Sequence, residues 1–580
     1  MSIFNVFSLM GGLALFLYGM DVMGKSLEKQ AGSKLSGILA KLTSNTFKGF
    51  LLGLGVTAVI QSSSATTVMV VGFVNSGIMT LKQAIGIIMG ANVGTTVTAW
   101  ILSLSGIQGD SFIMSLMKPS SFAPILAFIG IILIMSSKKD KNKNIGSILL
   151  GFCILMTGMD MMSGAVEPLA DTPWFADLFV KFSNPILGVL VGAGVTAVIQ
   201  SSSASVGILQ ALSATGVITV GSALPIILGQ NIGTCVTAIL SSFGTNKNAK
   251  RTAAVHLYFN IIGATIFMML FYGLNSILHF EFITDTIGHS GIAVIHTLFN
   301  ITTTMFMLPM AGLLEKMATA TIKDDGEDEE FRMLDKRLLL TPAVAVKRSK
   351  SIVNEMAHIS LKGFMLSIES FGNFNEKISD EIKSMEKSVD KYEDKLGTYL
   401  MQLSEQDLTI DDSHEVNKIL HVLTDFERIS DYSVNISDTV REITDKNIKF
   451  SEEALKELQV LKSASTELIE NTMDAFSTGN IEVAERIQPL RHVINELIME
   501  IKDNHIIRLR KKQCTIELGF ALSDLLIAYE RAAAHCTNVA VTITEANKFT
   551  PHESAKRFRK DENSSYNETY RFYKEIYTTL

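Results

Sequence analysis

"GVTAVIQSSSATT" begins at Gly55, and "GVTAVIQSSSASV" begins at Gly194. Residues 55–65 and 194–204 are identical and stand 139 positions apart. Each copy sets one glutamine and three serines inside an otherwise apolar stretch. Breaking a helix in lipid strands backbone N–H and C=O groups at several kcal/mol each, so such a break is tolerated only where it lines a cavity. Two identical breaks point to a site built from both.

The duplication reaches beyond the serines. "GMDVM" at Gly19 and "GMDMM" at Gly158 keep the same spacing, as do Glu28 and Glu167. "GANVGTTVTA" (90–99) matches "GQNIGTCVTA" (229–238). A duplication kept only for packing would preserve apolar faces rather than four consecutive polar residues.

A membrane-crossing helix needs about 20 mostly apolar residues. Seven stretches meet this or come close: about 3–22, 83–104, 121–136, 146–163, 221–241, 252–275 and 290–314. The first has no basic region ahead of it and is read as a span rather than a cleavable signal. The arms flanking the serines, 50–60 with 65–78 and 186–199 with 204–218, are too short to cross. They suit re-entrant hairpins that dip to mid-membrane and return. Loop charge agrees, since cytoplasmic loops are enriched in Lys and Arg. Loop 24–48 holds five Lys, 137–145 holds four, and 242–251 holds two Lys with Arg251. The intervening loops hold one or none. Seven crossings with two returning hairpins place every rich loop inside, the N-terminus outside and the charged C-terminal half in the cytoplasm. An odd number of crossings separates Asp21 from Asp160, so the second copy enters upside down. Inverted repeats meeting near the midplane are a recurrent transporter layout.

The chemistry of the broken ends follows from helix electrostatics. The arm after each serine run begins a helix, whose free N–H groups and positive dipole end favour an anion. The preceding arm ends in carbonyls that suit a bare monovalent cation. Asn92, Thr95, Asn231 and Thr234 add oxygens within the next helix of each copy, where Asn and Gly are expected to break the helix locally. Interhelical packing is the alternative use of these small polar residues. "HLYFN" (256–260) and "HTLFN" (296–300) place a His and an Asn one turn apart. Asn260 and Asn300, with Thr66, are candidates to line the cavity or to bond across helices. Asp21 and Asp160 read as solvated groups at span ends.

The paired QSSS motifs, each followed by an NxGT element, resemble the type II sodium–phosphate cotransporter family in its bacterial branch, over roughly residues 1–315. The resemblance implies sodium-coupled movement of inorganic phosphate, with both ions held between the two tips. On the matching positions these ligands are Gln61, Ser62, Ser63 and Ser64 with Gln200, Ser201, Ser202 and Ser203, accompanied by Asn92, Thr95, Asn231 and Thr234. Helix dipoles alone select a small oxyanion and a small cation; phosphate comes from the resemblance.

The chain changes character after residue 315. Residues 1–315 hold 15 Lys+Arg and 11 Asp+Glu, and the remainder holds 36 and 47, so a +4 half is joined to a −11 half. An acidic tether, "TIKDDGEDEEFR" (321–332), lies in a linker expected over 316–342. From 343 to 545 apolar residues recur with helical period. The pattern predicts six helices, at about 343–374, 376–403, 412–446, 452–478, 481–510 and 513–545, in an antiparallel bundle. A charged helical tail is expected within 546–580. "FERISDYSVNI" (426–436) and "YERAAAHCTNVA" (529–540) echo each other and resemble the two halves of a PhoU-like domain. Glu427 and Asp431, one turn apart, are the candidate pair for a divalent or transition metal. The second copy lacks the matching acid, having Ala534, and His535 points elsewhere on an ideal helix. A solvated acidic face is the other reading.

The fold expected is all-α: a polytopic membrane domain (repeat 1 about 1–136, repeat 2 about 146–314) followed by a cytoplasmic PhoU-like bundle. The function expected is sodium-coupled phosphate symport across the plasma (bacterial inner) membrane, with the bundle as regulator. A phosphate sensor that signals without transport is the alternative. Enzyme chemistry is not expected, because the serines have no neighbouring His or acid and no GxSxG elbow is present. Partners expected are phosphate, sodium, lipid, a second copy and a cytoplasmic regulator. The basic residues are neither clustered nor interleaved with aromatics as nucleic-acid binding needs. Cys153, Cys235, Cys514 and Cys536 are scattered singly, with no disulfide framework or zinc knuckle.

Overall fold

A computed structural model describes residues 3–41, 45–107, 118–323, 334–406, 408–545 and 564–578. The chain divides into two compact units, Met1–Thr341 and Pro342–Leu580. Among the described residues the regular structure is helical, apart from one isolated bridge between Thr219 and Thr286.

The first unit begins with α1 (Ile3–Lys41), α2 (Thr46–Ile60), α3 (Ser63–Asn75), α4 (Leu81–Ser103) and α5 (Pro119–Ser136). The second copy follows as α6 (Asp140–Val166), α7 (Pro173–Phe182), α8 (Pro185–Ile199), α9 (Ser202–Ser213), α10 (Val220–Ser241) and α11 (Lys247–Leu278). Helices α12 (His289–Met307) and α13 (Ala311–Thr321) complete it. Shifting α2–α4 by 139 residues lands on α8–α10. Among the described residues seven helices are long and apolar enough to cross a membrane: α1, α4, α5, α6, α10, α11 and α12. Three of these precede α6, so the second copy starts from the opposite side.

Three boundaries differ from the sequence reading. Helix α1 runs on to Lys41 through the stretch read as loop 24–48, which holds no proline to stop it; Lys25 pairs with Asp21 one turn back, at 2.9 Å. The last span ends at Met307 rather than 314, since Pro309 cannot donate to a continuing helix. Helices α4 and α10 pass unbroken through Asn92–Thr95 and Asn231–Thr234. Asn92 Nδ2 and Thr95 Oγ1 bond back to carbonyls one turn earlier, at 3.2 and 3.0 Å, so these polar groups are satisfied within the helix.

Glycine in these motifs serves close approach instead. A Cβ on Gly90 would stand 1.9 Å from the Phe50 carbonyl oxygen, and one on Gly229 would stand 2.1 Å from that of Val189. Each outer arm therefore lies backbone to backbone on the helix that follows its hairpin. The Gly19 and Gly158 repeats do the same for α1 against α6, where a Cβ would fall 2.4 Å from the Leu155 and Phe16 amides.

The second unit is a bundle of α14 (Pro342–Glu369), α15 (Glu376–Ser404), α16 (Ile410–Asp445), α17 (Glu452–Thr478), α18 (Ile481–Arg510) and α19 (Ile516–Glu545). Helix α20 (Ser564–Ile576) packs on α18 through Tyr570 and Lys574, which both meet Glu496. These match the six expected helices closely, because each carries an apolar stripe of helical period. The first half of the expected tail lies outside the described residues, as does 324–333 of the acidic tether. Residues 334–341, read from sequence as linker, belong to the first unit: Leu338 is fully buried and Asp335 nearly so.

Candidate functional site

Each Gln-Ser-Ser-Ser is a helix break of one form. Gln61 ends α2 in the left-handed region (φ 61°, ψ 22°), and Gln200 ends α8 likewise (φ 60°, ψ 19°). Ser62 and Ser201 then stand extended as N-caps, their hydroxyls accepting from the amides of Ala65 and Ala204 at 3.1 and 3.2 Å. The second and third serines open the new helix. The chain reverses at this break. Thr57 Oγ1 lies 3.0 Å from Thr66 Oγ1, whereas nine residues of continuous helix would span about 13 Å.

The two tips meet. Ser64 Oγ donates to the Gln200 carbonyl at 3.4 Å, across 136 residues of chain. Ser63, Ser202 and Ser203 are buried there, while Ser62, Ser64 and Ser201 are half-buried. The first-turn amides of Ser63, Ser64, Ser202 and Ser203 are the ones an α-helix cannot satisfy internally. The contact joins two helix starts whose motifs, Gln61–Ser64 and Gln200–Ser203, carry no formal charge.

The copies are not equivalent. Gln61 is buried, with its amide donating to the Ala58 carbonyl and its oxygen accepting from Thr98 Oγ1 at 2.9 Å. Gln200 is exposed. Thr98, one turn past the expected Thr95, is therefore the α4 residue that reaches the first tip; a repeat-by-repeat reading of NxGT missed it. Thr66 staples the two arms of its hairpin through Thr57 and the Ser62 carbonyl. Gln210 on α9 is a second residue that the pattern did not flag. Its amide bridges the carbonyls of Ala99 and His289, both at 3.0 Å, joining the two repeats.

The remaining candidates gather around α10. Asn231 Oδ1 lies 3.4 Å from His296 Nε2, and Thr234 bonds the Gln230 carbonyl. Asn260 donates to Cys235 Sγ at 3.3 Å and to the His256 carbonyl, and Asn300 donates to the His296 carbonyl. All are buried.

In the bundle, Glu427 and Asp431 do lie one turn apart, and Arg428 pairs with both, at 3.4 and 3.1 Å. Burial, then the neighbouring Asp431, push Glu427 above the usual carboxylate range. Among the described residues no group of three or more His, Cys, Asp or Glu side chains is arranged to hold a metal ion. In this structure the pair meets a guanidinium. His535 instead pairs with Asp425 at 2.8 Å, and Asn538 meets the same oxygen at 3.0 Å, locking α19 to α16.

Comparison with known proteins agrees with this division. The family model described as Na+/Pi-cotransporter matches residues 15–164 and 175–289, and the PhoU domain model matches 353–440 and 458–543. "Uncharacterized protein YqeW" of Bacillus subtilis is 30% identical over 315 residues, covering 53% of this chain and 94% of that one. "Putative inorganic phosphate export protein YjbB" of Salmonella typhimurium is 24% identical over 547 residues, covering 93% and 97%. "Sodium-dependent phosphate transport protein 2B" of Homo sapiens is 23% identical over 399 residues, covering 44% and 57%. No solved structure matches the chain.

Proposed function

The chain belongs to the Na+/Pi-cotransporter family, a multi-pass membrane protein carrying a PhoU domain, and on that premise we propose sodium-coupled phosphate symport by alternating access between its two inverted repeats. The observation that carries the reading is the meeting of the tips, Ser64 Oγ against the Gln200 carbonyl at 3.4 Å. It supports a site shared by both helix N-termini. Phosphate is bound there by first-turn amides and by the hydroxyls of Ser63, Ser64, Ser202 and Ser203. Sodium is bound by oxygens at the carbonyl ends of the preceding arms. Each ion offsets the other's charge in a dry site, so each raises the other's affinity by the same factor. Asn92, Thr95, Asn231 and Thr234 support the tips from the next helices, and Asn260 and Asn300 from α11 and α12.

The distribution of Lys and Arg among the loops supports an N-terminus outside and a PhoU unit in the cytoplasm of a plasma membrane. There the PhoU unit serves as a regulatory domain, through a second copy or a cytoplasmic partner. Coupling is reversible, so the gradients decide the direction of net flux; one relative is named for export and another for sodium-dependent transport. The test is radiolabelled phosphate flux in proteoliposomes with sodium or choline gradients. Sodium-dependent accumulation is expected. Equal flux in both salts would remove the coupling, and phosphate binding without accumulation would favour a sensor.

A further inference from the structure

The two hairpins differ most in what lies between their arms and the following helix. In the first, Thr57 Oγ1 donates to Thr66 Oγ1 at 3.0 Å, and Thr66 donates to the Ser62 carbonyl at 2.9 Å. The residue facing them by register on α4 is Ala91. The 139-residue shift carries these three positions to Thr196, Ser205 and Gln230. All three are buried, at 0%, 1% and 3% exposure. Gln230 Nε2 donates to the Ser205 carbonyl at 3.0 Å, which fixes the amide and identifies its other atom as the oxygen. Thr196 reaches the same place: its Cβ lies 2.7 Å from where a Cβ on Gly233 would stand, one turn along α10 from Gln230. Yet Thr196 Oγ1, Ser205 Oγ and Gln230 Oε1 have no hydrogen-bond partner among the described residues.

Three buried oxygens without partners are costly. One occupant relieves all three at once. Hydroxyl and amide oxygens are hard ligands, so the set can take a hard cation. No carboxylate accompanies them, whereas calcium and magnesium sites are built on carboxylates. The set therefore fits a monovalent alkali ion. It also stands beside the C-terminal turn of α8, where the helix carries negative partial charge. Sodium is the ion that the proposed coupling requires.

We infer that Thr196, Ser205 and Gln230 form a sodium site behind the second tip, a site the first hairpin lacks because its threonines bond each other and Ala91 replaces the glutamine. This rests on the symport reading for the identity of the ion. The site lies between the arms of α8 and α9, so an ion there holds the hairpin closed while α9 presents its N-terminus to phosphate. One hairpin would then bind the cation at its carbonyl end and the anion at its amide end.

The experiment uses the full chain in proteoliposomes, with Gln230→Ala and Ser205→Thr (the residues of the first hairpin) and Thr196→Val. The sodium concentration giving half-maximal phosphate flux is expected to rise about tenfold in Gln230→Ala and Thr196→Val, a loss of about 1.4 kcal/mol in cation binding. Phosphate affinity at saturating sodium should change less than about threefold. A second readout avoids flux: sodium chloride, against choline chloride, should raise the melting temperature of the detergent-purified wild type, and this rise should vanish in Gln230→Ala. Variants that melt like wild type in choline yet keep its sodium curve and its sodium-induced rise would overturn the site. A wild type whose flux ignores sodium would overturn the symport reading instead, while the melting measurement would still decide whether the ion binds here.

Discussion

Asn75, the last residue of α3, donates a 2.8 Å hydrogen bond to the carboxylate of Asp335, across 260 residues of chain. The same asparagine accepts from the Asn246 backbone amide at 2.7 Å and from its side chain at 2.8 Å. Arg337 clamps Asp335 at 2.7 Å and reaches the Ser241 carbonyl. The end of the first hairpin, the end of α10 and the start of α11 are thus tied together by a segment that read as linker. Asp335→Ala removes a buried acceptor and is expected to cost about 1–3 kcal/mol, with Asp335→Asn costing less. Thermal melting of the purified full chain checks this. Coincident melts for Asp335→Ala and wild type would refute the clamp.

The serines of one motif should separate by role. Ser62→Ala and Ser201→Ala each delete an N-cap and should cost about 1 kcal/mol of stability. Ser63→Ala and Ser202→Ala leave the caps in place and should lower phosphate flux about tenfold or more. That is the order of a hydrogen bond to a charged group, about 1.5–3 kcal/mol. Paired melting and flux assays read the two effects apart, and equal losses of stability in all four would contradict the assignment.

Glycines within one repeated block should also part company. Gly90→Ala and Gly229→Ala place a methyl group on a neighbouring backbone and should cost upwards of about 1–3 kcal/mol. At Gly55 and Gly194, inside the identical stretch, a Cβ would meet nothing within 4 Å. Their alanine variants should be neutral or gain up to about 1 kcal/mol. Folded yield by size-exclusion chromatography distinguishes the pairs.

In the PhoU unit, Glu427 is raised above its ordinary range by burial and by Asp431, and Glu386 by burial, Asp431 and Asp390. An acid with a raised native pKa binds more protons folded than unfolded. Its contribution to stability therefore falls as pH climbs from the unfolded value toward the native one, and stays low above that. Glu427→Gln should stabilise the unit near pH 7.5, with the advantage shrinking as pH approaches about 4. Amide hydrogen exchange across α16 measures it, since the two tryptophans, Trp100 and Trp174, both lie in the first unit. Faster exchange in the variant at pH 7.5 would reverse the sign.

What sequence alone determined were the features set by neighbours along the chain. Span lengths, the paired breaks at Gln-Ser-Ser-Ser, the inversion of the second copy and six bundle helices all follow from apolar period, capping chemistry and repeat spacing. These depend on local backbone energetics, which identical residues reproduce in both copies. Tertiary structure alone decided which polar atom meets which. Thr98 rather than Thr95 reaches Gln61, and Asp335 folds back onto Asn75. Each joins residues that no local pattern relates, because they stand on helices whose approach is set by neighbours distant in sequence. The difference between the hairpins is of the same kind: a single Gln230 in place of an alanine matters only because packing seals it against Ser205 and Thr196.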